Sequence, residues 1–116
     1  MKKIFLTRKT LFLTIILAVV LSTVNGCKKD EGDPPANEVW MQNEAFNPFT
    51  LNITVNTTVK WTNKDGMDHT VTSETGLFSS GTIVNNGTFS FQFTTAGTYQ
   101  YHCTLHAGME GRIVVN

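Results

Sequence analysis

From Val39 to the C-terminus, apolar and polar residues alternate in short runs separated by turn-forming residues. A period of two is the mark of a strand with one buried face. Thr50–Val55 shows it most clearly, with Leu51, Ile53 and Val55 on one side and Thr50, Asn52 and Thr54 on the other. The same pattern and β-branched or aromatic enrichment predict strands at Val39–Gln42, Thr58–Thr62, His69–Ser73, Thr88–Thr94, Thr98–Cys103 and Arg112–Val115. Turn signals lie between them, at Phe46–Phe49, Asn56-Thr57, Asn63–Gly66, Asn85–Gly87, Ala96-Gly97 and Glu110-Gly111. No amphipathic helix and no internal repeat interrupts the series. The expectation is an all-β sandwich or barrel.

Alternation also assigns faces. Phe89, Phe91 and Phe93 share one face of their strand, the core face. Tyr99, Tyr101 and Cys103 share a face of theirs, which sends Cys103 inward and His102 outward. Trp40 and Trp61 read as core aromatics.

The N-terminal part has a different pattern. Lys2, Lys3, Arg8 and Lys9 precede an apolar run, Leu11–Leu21, and Val24-Asn-Gly-Cys27 comes after it. This is the layout of an export signal, residues 1–26, and the run is short for a membrane span. A Cys directly after Gly26 resembles a bacterial lipobox, with Asn25 unusual at its place. Cleavage there would leave Cys27 as a lipidated N-terminus; an ordinary secretory signal with a fortuitous Cys is the alternative. Residues 27–37 are polar, charged and Pro-containing, and read as a tether. The ten residues after Cys27 would reach about 35 Å when extended. The domain is then 38–116.

Composition changes the picture in two places. The formal charge of the 116 residues is zero, but four of the nine basic residues lie in the signal. Residues 27–116 carry five basic residues against nine acids, which argues against nucleic acid as a partner. Second, the chain has only two Cys. If Cys27 carries lipid, Cys103 is a lone thiol in an exported protein, a liability unless buried or metal-bound. A Cys27–Cys103 disulfide is the rival, and would tie a flexible terminus to the end of a core strand.

The candidate chemistry sits in Tyr101–Met109. Cys103, His106 and Met109 are three residues apart, and His69 lies upstream. A thiolate, two imidazoles and a thioether suit a trigonal copper site with a weak axial sulfur. Taken singly, Cys103 and Met109 could be core residues and His69 a hydrogen-bonded loop residue. Taken together, those readings leave the spacing unexplained.

Tyr-His-Cys-Thr-Leu-His-Ala-Gly-Met-Glu-Gly-Arg-Ile-Val-Val resembles the copper loop and last strand of cupredoxins, the blue copper proteins of the plastocyanin and azurin family. The short Cys-x-x-His-x-x-Met loop is most similar to that of amicyanin; plastocyanins have a longer one. The resemblance extends to Trp61-Thr-Asn, Asp68-His-Thr-Val and Phe78-Ser-Ser-Gly81, so it spans residues 38–116. It implies a Greek-key β-sandwich or barrel of about seven to eight strands. It also implies one type 1 copper, with His69, Cys103 and His106 as equatorial ligands and Met109 as axial ligand. Thr70 stands where many cupredoxins have Asn, and Leu105 where many have Pro. Asp68, Thr70 and Thr104 are the expected supports of the ligands.

The function implied is one-electron transfer outside the cytoplasm, in the cell envelope, by a lipid-anchored monomer working with redox partner proteins. His106, flanked by uncharged Leu105 and Ala107, is the expected electron port. Copper handling with the same four residues is the alternative. An enzyme would need further histidines for a catalytic copper, and the chain has only His69, His102 and His106. A metal-free adhesion module would leave Cys103 unexplained.

Overall fold

A computed structural model describes residues 32–116, so the expectations for the signal, for Cys27 and for most of the tether lie outside the described residues. Eight strands succeed one another: β1 (Glu38–Gln42), β2 (Ala45–Asn47), β3 (Thr50–Ile53), β4 (Thr57–Asn63), β5 (Thr72–Ser73), β6 (Thr88–Phe93), β7 (Gly97–His102) and β8 (Glu110–Val115). They form two four-stranded sheets, β2-β1-β4-β6 and β3-β8-β7-β5. The chain crosses between sheets repeatedly. Hence β1 runs parallel to β4 and β3 parallel to β8, while hairpin neighbours such as β7 and β8 are antiparallel. This is the all-β sandwich expected from the sequence.

The inner faces meet in one apolar core. Val39 and Met41 of β1, Val59 and Trp61 of β4, Tyr101 of β7, and Ile113 and Val115 of β8 are all buried there. Trp61 and Tyr101 meet edge to face with ring centroids 5.5 Å apart, and Phe46 meets Tyr101 the same way at 4.7 Å. Such pairs add about 0.5–1.5 kcal/mol beyond the area they bury. Phe93 is buried with them, but Phe89 and Phe91 are only partly so. The reason is topological: β6 is an edge strand, so its inward residues sit at the open side of the sandwich.

The structure corrects several local expectations; Glu110 and Gly111, expected in a turn, open β8 and pair with His102 and Tyr101. Phe46, expected in a turn, lies in β2, paired with Met41 of β1. The hairpin is closed by Asn43 and Glu44, both at positive φ (56° and 55°), as a two-residue turn with primed geometry requires. Trp40 is not a core residue. It points away from Met41, its indole N–H donates to Glu38 Oε1 at 3.1 Å, and the Lys64 ammonium lies 4.9 Å from its ring centroid. The expected strand His69–Ser73 shrinks to Thr72–Ser73; His69 keeps only an isolated bridge to Ile83. That bridge bends the chain away from the ladder and turns the His69 ring inward, where it is fully buried.

Gly111 of β8 stands directly opposite Tyr101 of β7. A Cβ at this position would meet the Tyr101 ring Cζ and hydroxyl oxygen at 2.6 Å. The ring is 1% exposed and wedged against Trp61 and Phe46, so it has little room to yield. Gly111→Ala should therefore destabilise the metal-free protein by about 1–3 kcal/mol through overpacking. Denaturant unfolding measures it; an unchanged midpoint would mean that the ring has room to move.

Candidate metal centre

Two loops meet at one end of the sandwich. The first joins β4 to β5, crosses from one sheet to the other, and carries His69. The second joins β7 to β8 within one sheet and carries Cys103, His106 and Met109. Cys103 lies one residue beyond β7, so the strand sets its direction and the loop leaves its sulfur free of the ladder. The second loop folds back on itself: Cys103 N–H donates to Met109 O at 2.9 Å, and Met109 N–H donates to His106 O at 3.4 Å.

The loops are stitched together by Thr70 and Thr104. Thr70 N–H donates to Cys103 Sγ at 3.3 Å, and Thr104 N–H donates to Thr70 Oγ1 at 2.8 Å. The two hydroxyls lie 3.0 Å apart. Asp68, expected to support the ligands, is solvent-exposed. The carboxylate on His69 is instead that of Asp65, whose Oδ2 lies 2.8 Å from His69 Nε2. Its neighbour Asn63 is fully buried and braces the same loop, its amide donating to Met67 O at 2.7 Å and Ile83 O at 2.8 Å. Residue types alone mark Asn63–Gly66 only as a turn. The available signal was Asp65 standing four residues before His69.

Three donor atoms converge. His69 Nδ1 and His106 Nδ1 are 3.2 Å apart, and Cys103 Sγ is 3.8 Å from the first and 3.5 Å from the second. A point equidistant from all three lies about 2.0 Å from each, the metal–nitrogen length known for zinc and about 0.3 Å short of its metal–thiolate length. The geometry therefore fits a metal ion. Cys103 and His69 are buried and His106 is half-buried. Met109 is buried as well, 3% exposed, and its backbone carbonyl accepts the Cys103 N–H. Two imidazoles and a thiolate are donors that accommodate both Cu(II) and Cu(I).

The electrostatics prepare the thiolate. Burial raises the Cys103 pKa, but hydrogen bonds led by those from Thr70 N–H and the His106 ring outweigh it and bring it down to about 6. Chiefly through its bond to Cys103, His106 is raised. Burial pushes the Asp65 carboxyl up, yet the N–H groups of Glu44 and Asn43 and the His69 ring leave it below the ordinary carboxylate value.

Residues 12–115 match the family profile of the cupredoxin-like domain. The chain is a cupredoxin. It is 37% identical over 70 residues to amicyanin of Paracoccus denitrificans, a match covering 56% of this chain and 53% of that protein, so it spans about half that relative's length. Over 90 residues it is 30% identical to amicyanin-alpha of Methylorubrum extorquens, covering 73% of this chain and 76% of the relative. Among solved structures, the Cu(I) form of an amicyanin variant aligns with a TM-score of 0.66 at 31% identity, covering 74% of this chain and 87% of the other. A purple cupredoxin from Nitrosopumilus maritimus aligns at 0.64 with 29% identity, covering 68% of this chain and 98% of the other. The cofactor of this cupredoxin is one copper ion, and His69, Cys103 and His106 are positioned for it.

In the metal-free protein the Cys103 thiol should titrate with a midpoint of about 6, against about 8.5 for a free Cys. The folded value lies below the unfolded one, so the contribution of Cys103 to stability is complete above the unfolded pKa and is lost as pH falls through the folded pKa. The ultraviolet thiolate band against pH reads this directly, and His106→Ala should move the midpoint upward. A midpoint at the free-thiol value would contradict the assigned hydrogen bonds.

Proposed function

We propose that this cupredoxin is an exported, lipid-anchored type 1 copper protein that carries single electrons between proteins of the cell envelope. The observation that carries the reading is the three-donor cluster itself: a thiolate and two imidazole nitrogens in one triangle, closed to solvent on the His69 side and half-open at His106. When bound, copper supplies the one-electron Cu(II)/Cu(I) couple. The chain's own residues do the rest. His69, Cys103 and His106 would hold the ion, and Met109 would be the weaker fourth donor that tunes the potential. The strand end and the Thr70–Thr104 stitch hold the donors in place, which limits rearrangement when an electron arrives or leaves. The core behind them excludes water.

His106 is the proposed port. Its ring reaches the surface, between exposed Leu105 (52%) and exposed Ala107. Exposed Met67 (45%) stands on the loop that carries His69. A small uncharged surface suits brief redox encounters, which bury less than about 1,200 Å². The reading places no catalytic step in the chain. His102, the third histidine, faces outward, and its Nδ1 pairs with Glu74 Oε1. Anchoring rests on Val24–Cys27, and two or more acyl chains would hold the monomer firmly where one alone is marginal. Copper handling is the second reading: the opening at His106 would also admit the ion.

Electron self-exchange between the Cu(I) and Cu(II) forms tests the port without a partner protein. Two copies must meet port to port, so a like charge added to both should repel them. Leu105→Lys and Ala107→Glu should each slow self-exchange by about an order of magnitude at low salt, with unchanged copper content. Unchanged rates in both would place the port elsewhere. Rapid copper loss from the native protein to a Cu(I) chelator would favour copper handling.

A further inference from the structure

The imidazole of His69 is fully buried, and its outer nitrogen meets a carboxylate that copper ligation does not itself require. Asp65 has a side chain only 12% exposed. Its Oδ1 accepts the N–H of Asn43 at 2.7 Å, and its Oδ2 accepts the N–H of Glu44 at 3.0 Å as well as facing His69 Nε2 at 2.8 Å. Those two backbone donors belong to the left-handed pair that closes the β1–β2 hairpin. Asp65 is itself held: its N–H donates to Asn63 Oδ1 at 2.8 Å, and Asn85 donates to its carbonyl at 2.6 Å. The carboxylate therefore has a fixed orientation, set by a turn remote from it in sequence. His106 has no comparable brace; its side-chain hydrogen bonds among the described residues run only to Cys103 and His69.

We infer that Asp65 is a positioning residue of the metal centre: it locks the His69 ring with Nδ1 toward Cys103 and holds the reduction potential down. The inference rests on the one-electron copper reading. Two physical steps connect the geometry to it. An ionised carboxylate only accepts, so it keeps the imidazole proton on Nε2 and leaves the Nδ1 lone pair for the metal. A fixed, poorly screened negative charge also favours the more positive of two oxidation states. Asparagine has the same shape but no charge, and its amide nitrogen cannot accept. The Asp65→Asn side chain would therefore serve either the His69 ring or the hairpin donors less well.

The test compares native, Asp65→Asn and Asp65→Ala proteins loaded with copper. The expected result is a higher reduction potential in both variants. The red thiolate-to-copper band should be kept in Asp65→Asn and shifted in Asp65→Ala, where the ring is free to turn. A lower thermal stability with an unchanged potential in Asp65→Asn would make Asp65 a hairpin staple only and overturn the inference. If neither variant folds, nitrogen NMR of the native metal-free protein decides. A slowly exchanging proton on His69 Nε2 supports the lock; a proton on Nδ1 overturns it. A native protein without the red band would instead sink the copper reading itself, while the NMR result on the metal-free chain would still stand.

Discussion

The junction between two loops is the constraint on which the centre depends. Thr70 N–H reaches Cys103 Sγ, and Thr104 N–H reaches Thr70 Oγ1. One loop crosses between the sheets and the other turns within a sheet; the β5–β7 pairing of Thr72 with His102 brings them side by side, and the two bonds between them then set the donors. The stitch uses one backbone donor from each loop. It also charges the sulfur, because a buried thiolate needs donors aimed at it before a metal arrives. Core, loops and electrostatics thus converge on one atom.

The two imidazoles are treated differently by the fold. His69 is buried and backed by Asp65, itself tied to the β1–β2 hairpin. His106 stands in the β7–β8 loop among exposed Leu105 and Ala107. One ligand is anchored in the scaffold and the other meets the surface. The proposed electron carrier has use for both.

Much of this was legible in the sequence because it rests on local rules. Alternation gives strands, turn residues give their ends, and Cys103 at a strand terminus comes from counting faces in Thr98–Cys103. Cys103 and His106, which the structure brings together with His69, were legible from their spacing in one loop. What was not legible depends on tertiary packing. Trp40 reads as core by residue type, yet it lies on the outer face of β1 with Lys64 over its ring. The strand around His69 was cut short because a bridge to Ile83 competes with the ladder. Asp68 adjoins His69 in sequence, yet it is exposed to solvent, and the carboxylate on the ring is that of Asp65. The hairpin through Phe46 was hidden by Pro48 and by a turn at Asn43-Glu44 that lacks glycine.

A thiolate, two imidazoles and copper in one site are the centre of the protein's chemistry, and the visible absorption spectrum after adding Cu(II) to the metal-free domain reads them most directly. An intense charge-transfer band in the red is the predicted result, and it should vanish in Cys103→Ser while the apo fold survives on its own core. Weak absorption typical of Cu(II) bound only by nitrogen and oxygen, or a red band that persists in Cys103→Ser, would contradict it.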